Sequence, residues 1–249
     1  MNLDTAPPYV EIKTLFERRE DFTVNTEKLR RAEFGQIARW LVTEKIDGTN
    51  IRVSLEYDDS KCWSEDMPSP HPRHECSEWV VRIGGRTNNA QVPPFLLEYL
   101  QQTFTLDRMT SLWKPENDGE IQPYPITLYG EGYGERIQKG GGNYRAGVSF
   151  RLFDVLVGGK WWLDWANVCD IAAGLGIKTV PMVASVMLQA DIVDYVRGGF
   201  ASYVANEERG QLHEAEGVVA RTDPYLYDKH GSPLKFKLKA RDFKRGKGE

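Results

Sequence analysis

Lys45 stands in Thr43-Glu44-Lys45-Ile46-Asp47-Gly48-Thr49-Asn50, between two acids and directly ahead of a glycine and two small polar residues. A surface ion pair accounts for the charges, but not for the Gly-Thr-Asn that follows. A second charged element lies near the other end of the chain, in Lys235-Phe236-Lys237-Leu238-Lys239. Side chains alternate across a strand, so the three lysines share one face while Phe236 and Leu238 take the other. Three parallel ammonium groups repel one another. Either solvent relieves them or an anion does, and a triphosphate is an anion of the right kind. Two lone acids sit at the edges of glycine-marked apolar strands, Glu131 in Tyr129-Gly130-Glu131-Gly132-Tyr133-Gly134 and Glu216 in Ala215-Glu216-Gly217-Val218-Val219. They recur with Lys45, Arg86 and the lysine strand in one order along the chain.

These groups need a scaffold, and the apolar pattern supplies one. Residues 40–57 read as a strand, a turn at Asp47-Gly48 and a second strand. Strands are also expected over 78–85, 125–134, 148–157, 178–184, 216–222 and 233–243, several of them ending in glycine turns. Leu29, Phe34, Ile37 and Trp40 fall at roughly helical spacing and predict a short helix over 25–40. Helices are expected over 93–109, 163–177 and 191–204, and residues 9–21 give a weak strand or a loop. Residues 58–78 are polar and proline-rich, the mark of a loop or hairpin excursion. Strands outnumber helices and are hairpin-connected, which predicts an α+β fold with antiparallel sheets flanked by helices.

The chain has 249 residues, 41% hydrophobic and 27% charged, with a net charge of −4. That length buries a real core. No apolar run approaches the ~18 residues of a membrane span, and the N-terminus lacks the basic and apolar regions of a signal peptide. The three cysteines, Cys62, Cys76 and Cys169, are odd in number and loosely spaced, as expected of reduced thiols in a cytoplasmic protein. The negative net charge excludes a bulk attraction for nucleic acid, so any basic site must be local. Cys62, His71, His74 and Cys76 are zinc-ligand types, but their spacing follows no standard zinc pattern. The pair Trp161-Trp162 is read as core packing in preference to base stacking.

The motifs together resemble those of the covalent nucleotidyltransferases, the ATP-dependent polynucleotide ligases and mRNA capping enzymes, and look closest to phage-type RNA ligases that seal double strands. Glu44 to Asn50 is similar to motif I, the segment from Gly84 to Asn89 to the arginine segment after it, and Tyr129 to Gly134 to motif III. Phe150 to Leu156 is similar to motif IIIa, Glu216 to Arg221 to motif IV, and Lys235 to Phe243 to motif V. The order is right and the similarity spans nearly the whole chain.

The resemblance implies one nucleotidyltransferase (adenylation) domain over 1–249, with no separate C-terminal OB-like domain. It implies that Lys45 attacks the α-phosphorus of ATP to give a lysine–AMP bond, with Lys237 and Lys239 as the motif V pair. These cations would lower the lysine's pKa and neutralise the triphosphate. Glu44 corresponds to a position at the adenine edge, through backbone or side chain, and Phe153 to the residue stacked on the adenine face, with Asp154 beside it. Asp47 and Gly48 complete the signature, Gly48 letting the backbone approach the nucleotide. Asn50 and Glu131 correspond to ribose contacts, and Glu216 to an acid holding Mg²⁺ or Mn²⁺, the hard ions that carboxylates and phosphates suit. Arg86 corresponds to the arginine that contacts the phosphates of the nucleotide or of the 5′-end, and with Lys235, Arg221 and Arg241 it is an expected nucleic-acid contact, Arg221 falling where related RNA ligases carry a lysine. The implied partner is nucleic acid, RNA ends or nicks and RNA/DNA hybrids, engaged by a monomer. A DNA ligase, a capping guanylyltransferase and a catalytically silent RNA-binding relative are the alternatives.

Overall fold

The computed structural model describes residues 6–58, 78–113 and 123–244. The strands are β1 (Lys13–Thr14), β2 (Phe16–Arg18), β3 (Val24–Leu29), β4 (Arg39–Lys45), β5 (Thr49–Asp58), β6 (Glu78–Gly85), β7 (Ile126–Gly134), β8 (Val148–Val157), β9 (Trp161–Trp162), β10 (Lys178–Thr179), β11 (Met182–Leu188), β12 (Gly217–Arg221) and β13 (Lys235–Lys239). The helices are α1 (Pro94–Thr103), α2 (Leu106–Thr110), α3 (Gly141–Tyr144), α4 (Trp165–Gly174), α5 (Gln189–Gly198) and α6 (Tyr203–Arg209). One sheet runs in the order β1-β13-β12-β4-β11, a second in the order β10-β8-β7-β5-β6 with β9 on β8, and β2 and β3 form a hairpin. The fold is α+β, as the pattern predicts.

Residue contacts divide the chain into two compact units. The first comprises Met1–Tyr9, Asn50–Gly130 and Leu152–Lys178. Its α1 and α2 pack on β6, and Leu96, Leu100 and Met109 are buried. Asp164 caps α4 by accepting from the Asn167 backbone N–H, the usual device for a free helix-start donor. Tyr9, Tyr129, Phe153 and Trp162 form an aromatic group here, with Tyr9 5.1 Å from Phe153 and Tyr129 5.4 Å from Trp162.

The second unit comprises Val10–Thr49, Glu131–Arg151 and Thr179–Glu249, and contains the whole five-stranded sheet. Alternation along its strands sorts the side chains. Trp40, Val42, Val218, Ala220, Phe236 and Leu238 face one way and pack with Ile192, Val193 and Val196 of α5 and with Leu15, Val24 and Phe34. The other face carries Thr43 and Lys45, Gly217 and Val219, and Lys237 and Lys239, placed opposite one another by the pairing register.

The helix expected over 25–40 does not form. Residues 24–29 are β3, a short 3-10 turn follows over Ala32–Gln36, and β4 begins at Arg39. Phe34 and Trp40 are buried in one core, so their spacing reported burial and not helical period. The expected helix over 191–204 is two helices, α5 and α6, separated at Gly199, whose φ of 74° ends the first. Trp161 is 60% exposed with Lys160 over its ring, so the core reading fails for that residue. Cys62, His71, His74 and Cys76 lie outside the described residues. Cys169 forms no disulfide among the described residues.

Candidate active site

The site lies on the face of the five-stranded sheet opposite its apolar core. β12 runs between β4 and β13, and Gly217 pairs with Lys45 on one side and Lys239 on the other. The two lysines therefore flank a residue with no side chain. Gly217 has a φ of 154°, and a Cβ there would run into the Leu238 carbonyl and stand 2.6 Å from the Lys239 Cα. Only glycine fits, and it delivers the preceding Glu216 between the lysines. Glu216 Oε2 accepts from Lys45 Nζ at 2.5 Å and Oε1 pairs with Lys239 Nζ at 2.5 Å.

Glu131 and Asp47 complete the charge group around Lys45. Burial lowers the Lys45 ammonium's pKa, but Glu131, Glu216 and Asp47 outweigh it and hold that pKa above its ordinary value. The expectation that Lys237 and Lys239 would depress it is overturned, because the carboxylates that converge on Lys45 act more strongly. Lys237 is the group that is depressed, by burial first and then by Lys239 and Lys45. Burial raises Glu216, but Lys45 and Lys239 prevail and hold it below the usual carboxylate range. Glu131 is pushed up to about 7, by burial first, with Lys45 opposing and Glu216 and Asp47 reinforcing the rise.

The Glu131 shift makes a stability prediction. A carboxyl raised on folding favours the native state when protonated, and that contribution is lost as pH rises through the folded value. Glu131→Gln keeps the neutral form at every pH. The variant should match the parent near pH 5 and exceed it by about 1–3 kcal/mol at pH 9. Denaturant melts across that range check it. Parallel stability curves would mean that Glu131 ionises without cost.

Gly48 has a local reason to be glycine. A Cβ there would collide with the Gly132 carbonyl and stand 2.8 Å from Glu131 Cγ, and the Gly48 carbonyl accepts from Gln138 Nε2 at 3.0 Å. The backbone it approaches so closely is that of β7.

Glu44 lies on the opposite side of β4 from Lys45. Its carboxylate accepts from Ser202 Oγ at 2.5 Å and from the Tyr203 and Val204 backbone N–H groups at 2.9 and 3.2 Å. It caps α6 and is buried, which leaves the backbone as the part of Glu44 available to a nucleotide. Farther along α6, Glu208 accepts from Tyr133 OH at 3.0 Å and from Arg151 Nη2 at 2.8 Å, and pairs with Arg145. Arg151 Nη2 also bonds Glu207 at 2.7 Å. The motif reading passed over this network. Its one sequence signal is Arg151 itself, a lone cation inside the apolar strand Phe150 to Leu156.

Lys45, Asp47, Gly48, Glu131, Glu216, Lys237 and Lys239 are thus brought together in one unit. Asn50, Arg86 and Phe153 belong to the other. Asn50 Oδ1 is buried with no hydrogen-bond partner. Arg86 is exposed just past β6, and Phe153 is half-buried. Arg241 is exposed, as a polyanion contact must be. Arg221 and Lys235 are not, at 2% and 6% exposed. Both lie at Tyr225, where Arg221 Nη1 donates to the hydroxyl at 3.0 Å and Lys235 stands 5.4 Å over the ring. Their expected role as nucleic-acid contacts is corrected by that burial.

Mg²⁺ and Mn²⁺ commonly take one or two carboxylates, with substrate phosphates and water completing the shell. Glu216 and Glu131 fit that requirement. No three acid, His or Cys side chains form a metal cluster among the described residues, so the phosphates would have to supply ligands.

A protein-family model described as RNA ligase matches residues 38–239. Among curated proteins no sequence matches. Among solved structures the chain is similar to Naegleria gruberi RNA ligase. A variant solved with ATP and manganese gives a TM-score of 0.54 at 16% identity over 94% of this chain. The same enzyme with pyrophosphate gives 0.53 at 18% identity over 94%. This chain spans 61% of the length of each, and the likeness is one of fold.

Proposed function

The chain belongs to the RNA ligase family, and we propose that it is an ATP-dependent RNA ligase working through a covalent lysyl-AMP. The observation that carries this reading is the row Lys45–Gly217–Lys239 with Glu216 between the lysines. An amine, a second cation and a carboxylate stand within one sheet register, which supports the roles of nucleophile, phosphate partner and metal ligand. In the first step the Lys45 nitrogen bonds to the α-phosphorus, the bond to the β-phosphate oxygen breaks, pyrophosphate leaves and the amine gives up its protons. AMP then passes to a 5′-phosphate end, and a 3′-hydroxyl displaces it to seal the strand.

Lys45 is held as an ammonium by Glu216 and Glu131, so it must be released before it attacks. Neutralising those carboxylates weakens that hold, and Lys237 and Lys239 stabilise the negative charge that builds on the phosphates. A bound Mg²⁺ or Mn²⁺ would add charge neutralisation at the phosphates and at Glu216. ATP and manganese accompany the Naegleria enzyme, which supports the same pairing here. We extend the reading to RNA ends and nicks, including RNA/DNA hybrids, and to a cytoplasmic monomer. No helix among the described residues is long and apolar enough to cross a membrane.

Labelled ATP and GTP, then a panel of 5′-phosphorylated nicks and single strands in RNA and DNA, test the proposal. ATP alone should label the protein, and RNA should be joined. Labelling by GTP alone would make it a capping-type enzyme, and labelling by neither would end the proposal.

Phe153 carries a further prediction. It is half-buried, with its ring centroid 5.1 Å from that of Tyr9. Phe153→Ala should weaken ATP use by roughly 1–3 kcal/mol, the range for a lost base–aromatic stack, while keeping a cooperative melt. Loss of that melt would assign the ring to packing.

A further inference from the structure

We propose that the β2–β3 hairpin is an RNA-contacting element, with Phe22 stacking on a base of the substrate strand while Arg19 and Arg197 hold its phosphate. This rests on the ligase reading for the identity of the substrate. Phe22 sits at the hairpin tip with 78% of its surface exposed. An exposed aromatic alone means little. This one also has a φ of 62°, a left-handed conformation that is unfavourable for a bulky residue and that glycine or asparagine adopts readily. The turn is closed by Arg19 N–H to the Thr23 carbonyl at 2.8 Å and Phe22 N–H to the Arg19 carbonyl at 3.0 Å, which puts Phe22 where such turns normally place glycine. The ring therefore stands in solvent at a cost in both backbone strain and hydration.

The tip is also pinned. Arg18 Nη1 donates to the Phe22 carbonyl at 2.6 Å, Arg19 Nη1 to the Val24 carbonyl at 2.9 Å, and Thr23 Oγ1 to Asp21 at 2.6 Å. A ring held out by a fixed tip loses little freedom on stacking. Beside it lies a groove of about 420 Å³ lined by Arg19, Thr23, Thr26, Arg197, Asp21 and Asp242, among others. Both acids are engaged, Asp21 by Thr23 and Asp242 by Arg18 Nη2 at 2.7 Å and the Lys239 N–H at 3.0 Å. Arg197 pairs with Asp194 at 3.0 Å, but these side chains are 51% and 74% exposed, and such a pair yields to a phosphate at little cost. Guanidinium and hydroxyl groups are what the groove can offer a ligand, which suits a phosphodiester. The Asp242 bonds tie this hairpin to the strand that carries Lys239, so bound RNA would be coupled to the adenylation face.

The test is Phe22→Gly, which removes the ring and relieves the backbone. The variant should melt at or above the parent temperature, and its labelling by ATP should be unchanged. Its affinity for a dye-labelled, 5′-phosphorylated nicked RNA duplex should fall about tenfold, the loss of one stack, and Phe22→Trp should restore it. Arg19→Ala with Arg197→Ala should flatten the salt dependence of binding by about 1.5 in log–log slope. Unchanged RNA affinity in Phe22→Gly would overturn the proposal. So would sedimentation showing that the parent self-associates and the variant does not, since the ring would then meet a second copy. If the parent is not labelled by ATP the ligase reading fails, and the binding measurements still decide whether the hairpin holds RNA.

Discussion

Lys45→Arg should fold like the parent and take up no label from ATP, a loss of at least about a thousandfold. Arginine keeps the charge that Glu216 binds at 2.5 Å, so the site's ion pairing survives. Its guanidinium stays protonated throughout the accessible pH range and is no nucleophile. Lys45→Ala should also fail to label, and both variants should still seal a strand supplied already adenylated, because that step uses no lysine–AMP bond. In the parent, labelling should quicken as pH rises from 6 to 9. The neutral amine grows tenfold per unit below its pKa, and the carboxylates around Lys45 hold that pKa above the ordinary range. An acid-labile AMP adduct on Lys45→Arg would place the nucleophile elsewhere, and a flat pH response would mean that proton loss does not limit the step.

The charged face of β13 was legible because alternation needs no partner. Once Phe236 and Leu238 are known to face a core, Lys237 and Lys239 must face away from it. Lys45, Glu131 and Glu216 were legible through the motifs around them. What the lysine experiences was not, because its pKa depends on which charges come nearest, and the two carboxylates that decide it lie 86 and 171 residues along the chain. The same limit hid the job of the Glu44 side chain. Its partners, Ser202, Tyr203 and Val204, form the start of a helix that the pattern had fused to the preceding one. Residues 25–40 failed for a different reason. Phe34 and Trp40 do share a core, but a strand, a turn and a second strand can bury them as well as a helix can, and spacing alone does not separate the cases. Arg221 and Lys235 show the converse error, since charge suggests solvent until Tyr225 is seen beside both.

Arg151→Ala should cost about 3–5 kcal/mol of stability, the range for breaking a buried ion pair from one side. The Arg151 and Glu208 side chains are 3% and 6% exposed, so water cannot replace the lost guanidinium. Arg151 also bonds Tyr133 OH at 3.1 Å and the Thr179 carbonyl at 3.3 Å, and each loses a partner with it. Arg151→Met with Glu208→Leu should recover much of the loss, because exchanging both charges for apolar groups removes the desolvation penalty along with the attraction. Denaturant melts of the parent, Arg151→Met, Glu208→Leu and the double variant close the cycle. The consequence reaches chemistry through α6. Glu208 fixes one part of that helix, and Glu44, next in sequence to Lys45, caps its start. Arg151→Ala should therefore slow labelling by ATP even at temperatures where the variant remains folded, whereas a network serving stability alone would leave the folded variant's rate unchanged. A cost below about 1 kcal/mol, the value of an exposed pair, would show that these side chains are not the strut their burial indicates.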